Sequence, residues 1–148
     1  MLNVKVTAGN AGEFLQFRPT TVRILEDGSG TENRISAIAS TMAPHVDGPP
    51  PHIHLMHDGA LLVTNGVLRF MIGGVQRDAK AGDYVVMLVG APHTFVNASN
   101  EPVSFFTTFT PAFYVNSFRE LAQLRAQGRF SVQTLAEVLM HYATVACE

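Results

Sequence analysis

His52-Ile53-His54-Leu55-Met56-His57-Asp58-Gly59-Ala60-Leu61-Leu62-Val63-Thr64-Asn65-Gly66 carries more of the fold and chemistry than any other stretch of this chain. Pro49-Pro50-Pro51 precedes it, stiffening the approach in an extended form and excluding a helix there. Residues two apart in an extended segment share a face, so the imidazoles of His52 and His54 point the same way. If that face looks into a closed sheet, one metal ion can be gripped by both. Asn65-Gly66 lies between Leu-Leu-Val-Thr and Val-Leu-Arg-Phe and is the strongest hairpin signal in the chain. Both residues tolerate the positive φ of a type I′ turn, which is expected to fix the register of the central strands.

On either side of this stretch, from Met1 to about Thr110, short β-rich runs alternate with Gly, Pro, Asn and Asp, as in an all-β sandwich or barrel. The expected strands are Leu2–Val6, Glu13–Phe17, Thr20–Ile24, Arg34–Met42, His52–His54, Ala60–Thr64, Val67–Ile72, Tyr84–Val89, His93–Asn97 and Val103–Thr110. Turn signals separate them at 26–30, 47–51, 65–66, 73–74 and 81–83. After Pro111 the period becomes helical. Ser117-Phe118-Arg119-Glu120 matches a capping box, and Phe118, Leu121 and Leu124 form a short apolar stripe. A second helix is expected from Ser131, with Leu135, Val138, Leu139 and Tyr142 on one face. Both helices are expected on the outside of the barrel or against a partner subunit. The 148 residues fit one domain, with a barrel over about 1–112 and a helical tail over about 116–145.

A third imidazole completes the constellation. His93 follows Gly90-Ala91-Pro92, a turn that drops the chain into a new strand on which His93, Phe95 and Asn97 share a face. Three imidazoles suit a divalent metal that keeps positions open for water or substrate. Asn97 reads as a hydrogen-bonding residue at the strand end or behind the ligands. Of the other histidines, His45 is expected to be exposed and His141 to be structural. His57 and Asp58 fall on the rim if the strand bends after Met56. There either can act as a general base near neutral pH, the plainer alternative being two solvated loop residues. His57 becomes a substitute ligand only if the chain bulges.

These residues resemble the two motifs of the cupin superfamily, and within it the small quercetinase-like single-domain cupins. The first motif runs His-x-His, three or four residues, Glu, six residues, Gly, and is met by His52, His54 and Gly66. The second runs Gly, five residues, Pro-x-Gly, two residues, His, three residues, Asn, and is met by Gly82, Gly90, His93 and Asn97, with Leu88 in place of proline. The resemblance spans roughly Arg34 to Thr110. It implies an all-β jelly-roll barrel with two short C-terminal α-helices, metal ligands His52, His54 and His93, and a divalent transition metal (Fe, Ni, Mn, Cu or Zn). Counting back from Gly66, the family's glutamate ligand falls on Gly59, which has no side chain. Asp58 would point to the opposite face of a regular strand and reach the metal only through a bulge.

Three neutral imidazoles leave a dipositive ion uncompensated, which favours an anionic ligand such as an enolate, phenolate or thiolate. Ten phenylalanines, six methionines and no tryptophan provide an apolar, adaptable interior. Leu61, Val63 and Phe95 should face inward and Arg69 outward, so no arginine is evident on the inner strands. A flat aromatic or polyketide-like substrate suits such a pocket better than a sugar phosphate. Similarity to metal-dependent cupins points to a quercetinase-like dioxygenase. The alternatives are a cyclase, isomerase or decarboxylase of a natural-product pathway using His57 or Asp58 as acid or base, and a non-catalytic small-molecule binder.

The net charge of -2 without a basic block excludes a phosphate-tracking surface, so no nucleic-acid partner is expected. No run approaches a membrane span, and no signal peptide is evident. The lone Cys147 can form no internal disulfide. Cytoplasmic residence and a homodimer are the expectations.

Overall fold

The computed structural model describes residues 3–17 and 19–147. Its strands are β1 (Glu13–Phe17), β2 (Thr20–Glu26), β3 (Ser36–Met42), β4 (Val46–Asp47), β5 (His52–His54), β6 (Asp58–Asn65), β7 (Val67–Ile72), β8 (Val75–Lys80), β9 (Tyr84–Met87), β10 (Thr94–Asn97), β11 (Val103–Thr110) and β12 (Thr144–Ala146). A 3₁₀ turn, Ala112–Tyr114, leads into helix α1 (Val115–Ala126), and helix α2 (Val132–His141) follows. Sheet order is β1-β2-β3-β11-β6-β9 in one sheet and β4-β10-β7-β8 in the other, with β12-β5 as a separate pair. This is the two-sheet jelly roll expected from the sequence, carrying two short helices at its C-terminal side.

Alternation decides which side chains enter the space between the sheets. On β3, Ser36, Ile38, Ser40 and Met42 are buried, and on β11 Val103, Phe105, Thr107 and Phe109 are buried, each residue between them being less so. Gly59, Leu61 and Val63 do the same on β6, and Leu68 and Phe70 on β7. Arg69 points out and pairs with Asp78 at 2.8 Å. The inward residues form two clusters, one around Leu61, Leu68, Phe70 and Phe105, the other around Val22, Ile38, Phe109 and Tyr114.

Several expectations are corrected. Asn65-Gly66 is no hairpin: β6 pairs with β11 and β9, while β7 pairs with β10 and β8. The turn instead carries the chain from one sheet to the other, and Gly66 is required because a Cβ there would lie 2.6 Å from the Pro102 carbonyl oxygen. A tight hairpin falls instead at Gly73-Gly74, both at positive φ, which closes β7 onto β8 with Ile72 opposite Val75. Strand β8 carries no alternating signal, because Val75-Gln76-Arg77-Asp78-Ala79-Lys80 buries only Ala79, as suits a charged edge strand. Residues 3–6 form no strand, and Leu2 lies outside the described residues.

Ser131 caps α2 as expected, and Thr134 completes a capping box with it. The capping box at Ser117 is absent. The 3₁₀ turn starts the helix two residues earlier, so Ser117 lies within α1 and is buried against the barrel. Arg119 docks that helix by pairing with Glu13 and Asp27, each at 2.9 Å. The tail also ends differently, in strand β12. Among the described residues no helix is long and apolar enough to cross a membrane.

Candidate metal centre

Strand β5 is held on both edges. Thr144 and Ala146 of β12 pair with His54 and His52 on one side. On the other, His52 and His93 exchange both backbone hydrogen bonds (3.1 and 3.0 Å), and the Gly90 amide donates to the His54 carbonyl at 2.8 Å. His93, distant in sequence, is thereby fixed opposite His52. The three side chains are buried, and one ligand nitrogen from each lies within 4.8 Å of the others.

Each ring is also oriented from behind. His52 Nδ1 meets the Pro50 carbonyl at 2.8 Å, His93 Nδ1 the Ala91 carbonyl at 2.9 Å, and His54 Nδ1 the Thr144 hydroxyl at 2.9 Å. A carbonyl accepts only, so Nδ1 of His52 and of His93 carries the proton and Nε2 keeps its lone pair free. Outer hydrogen bonds of this kind are how proteins fix metal-ligating imidazoles. Burial holds His52 down to about 4, with the neighbouring His93 adding to the effect; burial likewise lowers His54 and His93. All three are neutral at pH 7, as ligation requires. The donor set therefore fits a divalent transition metal.

Asn97 ties down the end of β10 and bonds none of the histidines. Fully buried, it donates through Nδ2 to the carbonyls of Met42, Ala43 and Glu101 and accepts from the Ser99 amide and hydroxyl.

Gly59 faces inward, where a Cβ would lie 3.1 Å from Met87 Cε and 3.8 Å from the Phe109 ring. The position of the family's fourth ligand therefore faces the interior, against Met87 and Phe109, and supplies no ligand atom. Asp58 takes the opposite face, as β6 alternation demands, and accepts a hydrogen bond from the Val89 amide at 2.8 Å. No bulge brings it round.

His57 is not on the rim. Its side chain is 1% exposed, stacks on Tyr114 with ring centroids 4.3 Å apart and approaches His54 at 4.1 Å, with Phe109 and Phe113 edge-on. Neither ring nitrogen has a hydrogen-bond partner. Burial lowers its basicity to about 4. The segment after Met56 turns inward rather than out, because Leu55 and Met56 are the residues left exposed there. His45 and His141 are exposed, His45 bonding Asn100.

The histidines open into a cavity of about 260 Å³. Leu61, Met87, Phe95 and Phe105 line it from the sheets, and Phe118, Leu121, Leu135 and Leu139 from the helices. The helices are thus part of the cavity wall and not only external packing. His57 and Gly59 do not reach the lining, whereas Tyr114 and Arg125 do. Both were missed in the sequence. Arg125 extends the Phe118–Leu121 helical stripe by one more turn, a signal that was legible, while nothing local marks Thr144 as a partner of His54.

Residues 39–109 match the family described as "Cupin domain". No curated protein matches the sequence. Among solved structures, the polyketide cyclase RemF from Streptomyces resistomycificus is similar at 17% identity and TM-score 0.63, over 80% of this chain and 96% of that one. A predicted oxalate decarboxylase from Thermotoga maritima is similar at 18% identity and TM-score 0.58, over 62% and 80%. A sugar phosphate isomerase of the cupin superfamily from Silicibacter pomeroyi is similar at 22% identity and TM-score 0.56, over 62% of this chain and 59% of that one. At these identities the likeness concerns the fold.

Proposed function

We propose, from the premise that this chain is a small protein of the cupin superfamily, that it is a metal-dependent enzyme acting on a small, largely apolar aromatic or polyketide-like substrate. The observation that carries the proposal is the set of three buried imidazoles with anchored Nδ1 atoms, opening into an apolar cavity with no carboxylate beside them. Bound there, a divalent metal would supply Lewis-acid or redox chemistry. Without a protein carboxylate its charge calls for an anionic oxygen on the substrate, and an enolate or phenolate on a flat apolar body answers both demands.

The reaction we favour is oxygen-dependent cleavage of such a substrate, as in quercetinase-like dioxygenases. The protein's own contribution is to orient the three rings through Pro50, Ala91 and Thr144, to exclude water with Phe95, Phe105 and Phe109, and to hold the substrate flat against them. No proton transfer is assigned to Asp58, which faces away, or to His57, which does not line the cavity. A non-redox cyclase, isomerase or decarboxylase is the second reading; the cyclase among the similar structures carries its name in its favour. We further propose a homodimer, for which Tyr84, Val86 and Leu88, exposed along and just beyond the edge strand β9, are suitable contacts.

Elemental analysis of protein purified without a polyhistidine tag, beside His93→Ala, tests the metal. About one ion per chain in the native protein and none in the variant is expected; equal content would overturn the assignment. Oxygen uptake with flavonols or β-diketones then supports the dioxygenase, and turnover under strict anaerobiosis the second reading.

A further inference from the structure

Helix α1 lays a single stripe along the cavity: Tyr114 just before it, then Ser117, Phe118, Leu121 and Arg125. Those positions recur every three or four residues, so they share one face of the helix. The stripe begins at the metal centre, where the Tyr114 ring lies 5.0 Å from that of His54. Arg125 lies eight residues beyond Ser117, a rise of about 12 Å, shortened because helical side chains lean back toward the N-terminus. Its guanidinium is set over the Phe130 ring, 3.8 Å from the centroid. Phe130 is itself part of the cavity wall. Among the described residues Arg125 forms no ion pair and its side chain makes no hydrogen bond. Among the described residues Asp47 is the one carboxylate on the wall, and it does not pair with Arg125.

We propose that Arg125 is a specificity-determining residue that binds a carboxylate, so that the ligand is an aromatic or polyketide-like acid lying along α1 with its phenolic or enolic oxygen toward the histidines. The inference rests on the cavity reading above and adds a second anionic end to the substrate. The stack on Phe130 leaves the planar fork oriented, with its N–H groups free for a two-pronged contact with a carboxylate. An arginine present only to complement the C-terminal end of α1 would satisfy the helix dipole equally well pointing into solvent. Although Arg125 is exposed, its guanidinium sits over a cavity-lining ring, and it is the only cation among the described residues of the wall, at the end of the stripe away from the imidazoles. Between the two ends the wall is largely apolar, with Ser40, Thr107 and Ser117 among its few polar side chains.

The test uses 6-hydroxy-2-naphthoate and its neutral counterpart 6-hydroxy-2-naphthamide, titrated by fluorescence, which the absence of tryptophan leaves clear of protein emission. Zinc-loaded and chelator-stripped full-length protein are compared for the native sequence, Arg125→Gln and Arg125→Lys. The native protein should bind the acid about tenfold or more tightly than the amide, loaded or stripped. Arg125→Gln should bring the two within about twofold by weakening the acid alone, and Arg125→Lys should keep part of the preference. Equal binding of acid and amide to the native protein, binding of neither, or a preference unchanged in Arg125→Gln overturns the assignment. A preference that ignores Arg125 but disappears with zinc places the carboxylate at the histidines, sinking this inference while sparing the metal. An Arg125-dependent preference in a protein that takes up no zinc does the reverse.

Discussion

His57→Phe should make the metal-stripped protein more stable. The native imidazole is 1% exposed, and both nitrogens lack a partner. A buried polar atom without a hydrogen bond costs about 1 to 3 kcal/mol, so the pair together costs about 2 to 6 kcal/mol. Phenylalanine keeps the stack on Tyr114 and the edge contacts with Phe109 and Phe113 and removes both polar atoms. Its larger ring must push against a closed aromatic cage, at a cost of about 1 to 2 kcal/mol. Taken at the lower part of the first range, the balance is a gain of about 1 to 2 kcal/mol, read as a rise of about 3 to 6 °C in Tm for a chain of this size. His57→Ala, which leaves a void beside Tyr114, should instead lose about 2 kcal/mol or more. Calorimetry with excess chelator is the assay. A drop in Tm for His57→Phe beyond about 3 °C would refute the reasoning, because it would mean that the nitrogens make a contact whose loss outweighs their desolvation.

Gly59→Glu reinstates the carboxylate of the family pattern, and since its Cβ would meet only the flexible end of Met87, the chain should fold and bind zinc at least about tenfold more tightly, by competition with a chromogenic chelator; unchanged affinity would show that position 59 does not look onto the metal. Acid should destabilise the metal-free protein. His52 and His57 fall from 6.5 in the unfolded chain to about 4 when folded, so the unfolded state binds more protons between those values. Their contribution is complete above about pH 6.5 and is lost as the pH falls toward 4, on the order of 3 kcal/mol for each ring; urea midpoints that stay level across that window would contradict the burial argument. Asn97→Ala leaves the Met42 and Ala43 carbonyls without their shared donor and should cost about 2 to 4 kcal/mol by urea unfolding, so a midpoint close to native would indicate that water replaces the amide.

Local pattern made much of this protein legible. His52 and His54 two apart in an extended segment could only share a face, and the interval to His93 and Asn97 named the strand that would meet them. Period-two burial on β3, β6 and β11 followed from alternating side chains, and the cap of α2 from Ser131. Where one signal allowed two outcomes, local reasoning failed. The positive φ of Gly66 serves a hairpin or a corner between sheets equally well, and only the competing partners β11 and β10 decide between them. His57 in an irregular segment can turn in or out, and the choice was made by the aromatic cage of Phe109, Phe113 and Tyr114.

The sequence by itself determined the two-sheet β architecture, the identity of the three imidazoles and the missing fourth ligand, because alternation and motif spacing are properties of neighbouring residues. Tertiary structure decided what holds and surrounds those imidazoles. Thr144 reaches His54 from the far end of the chain, α1 and α2 wall the cavity, and Arg125 comes to its edge over Phe130. Such contacts join residues up to 90 positions apart, so they depend on how the elements pack and leave no periodic trace in the sequence.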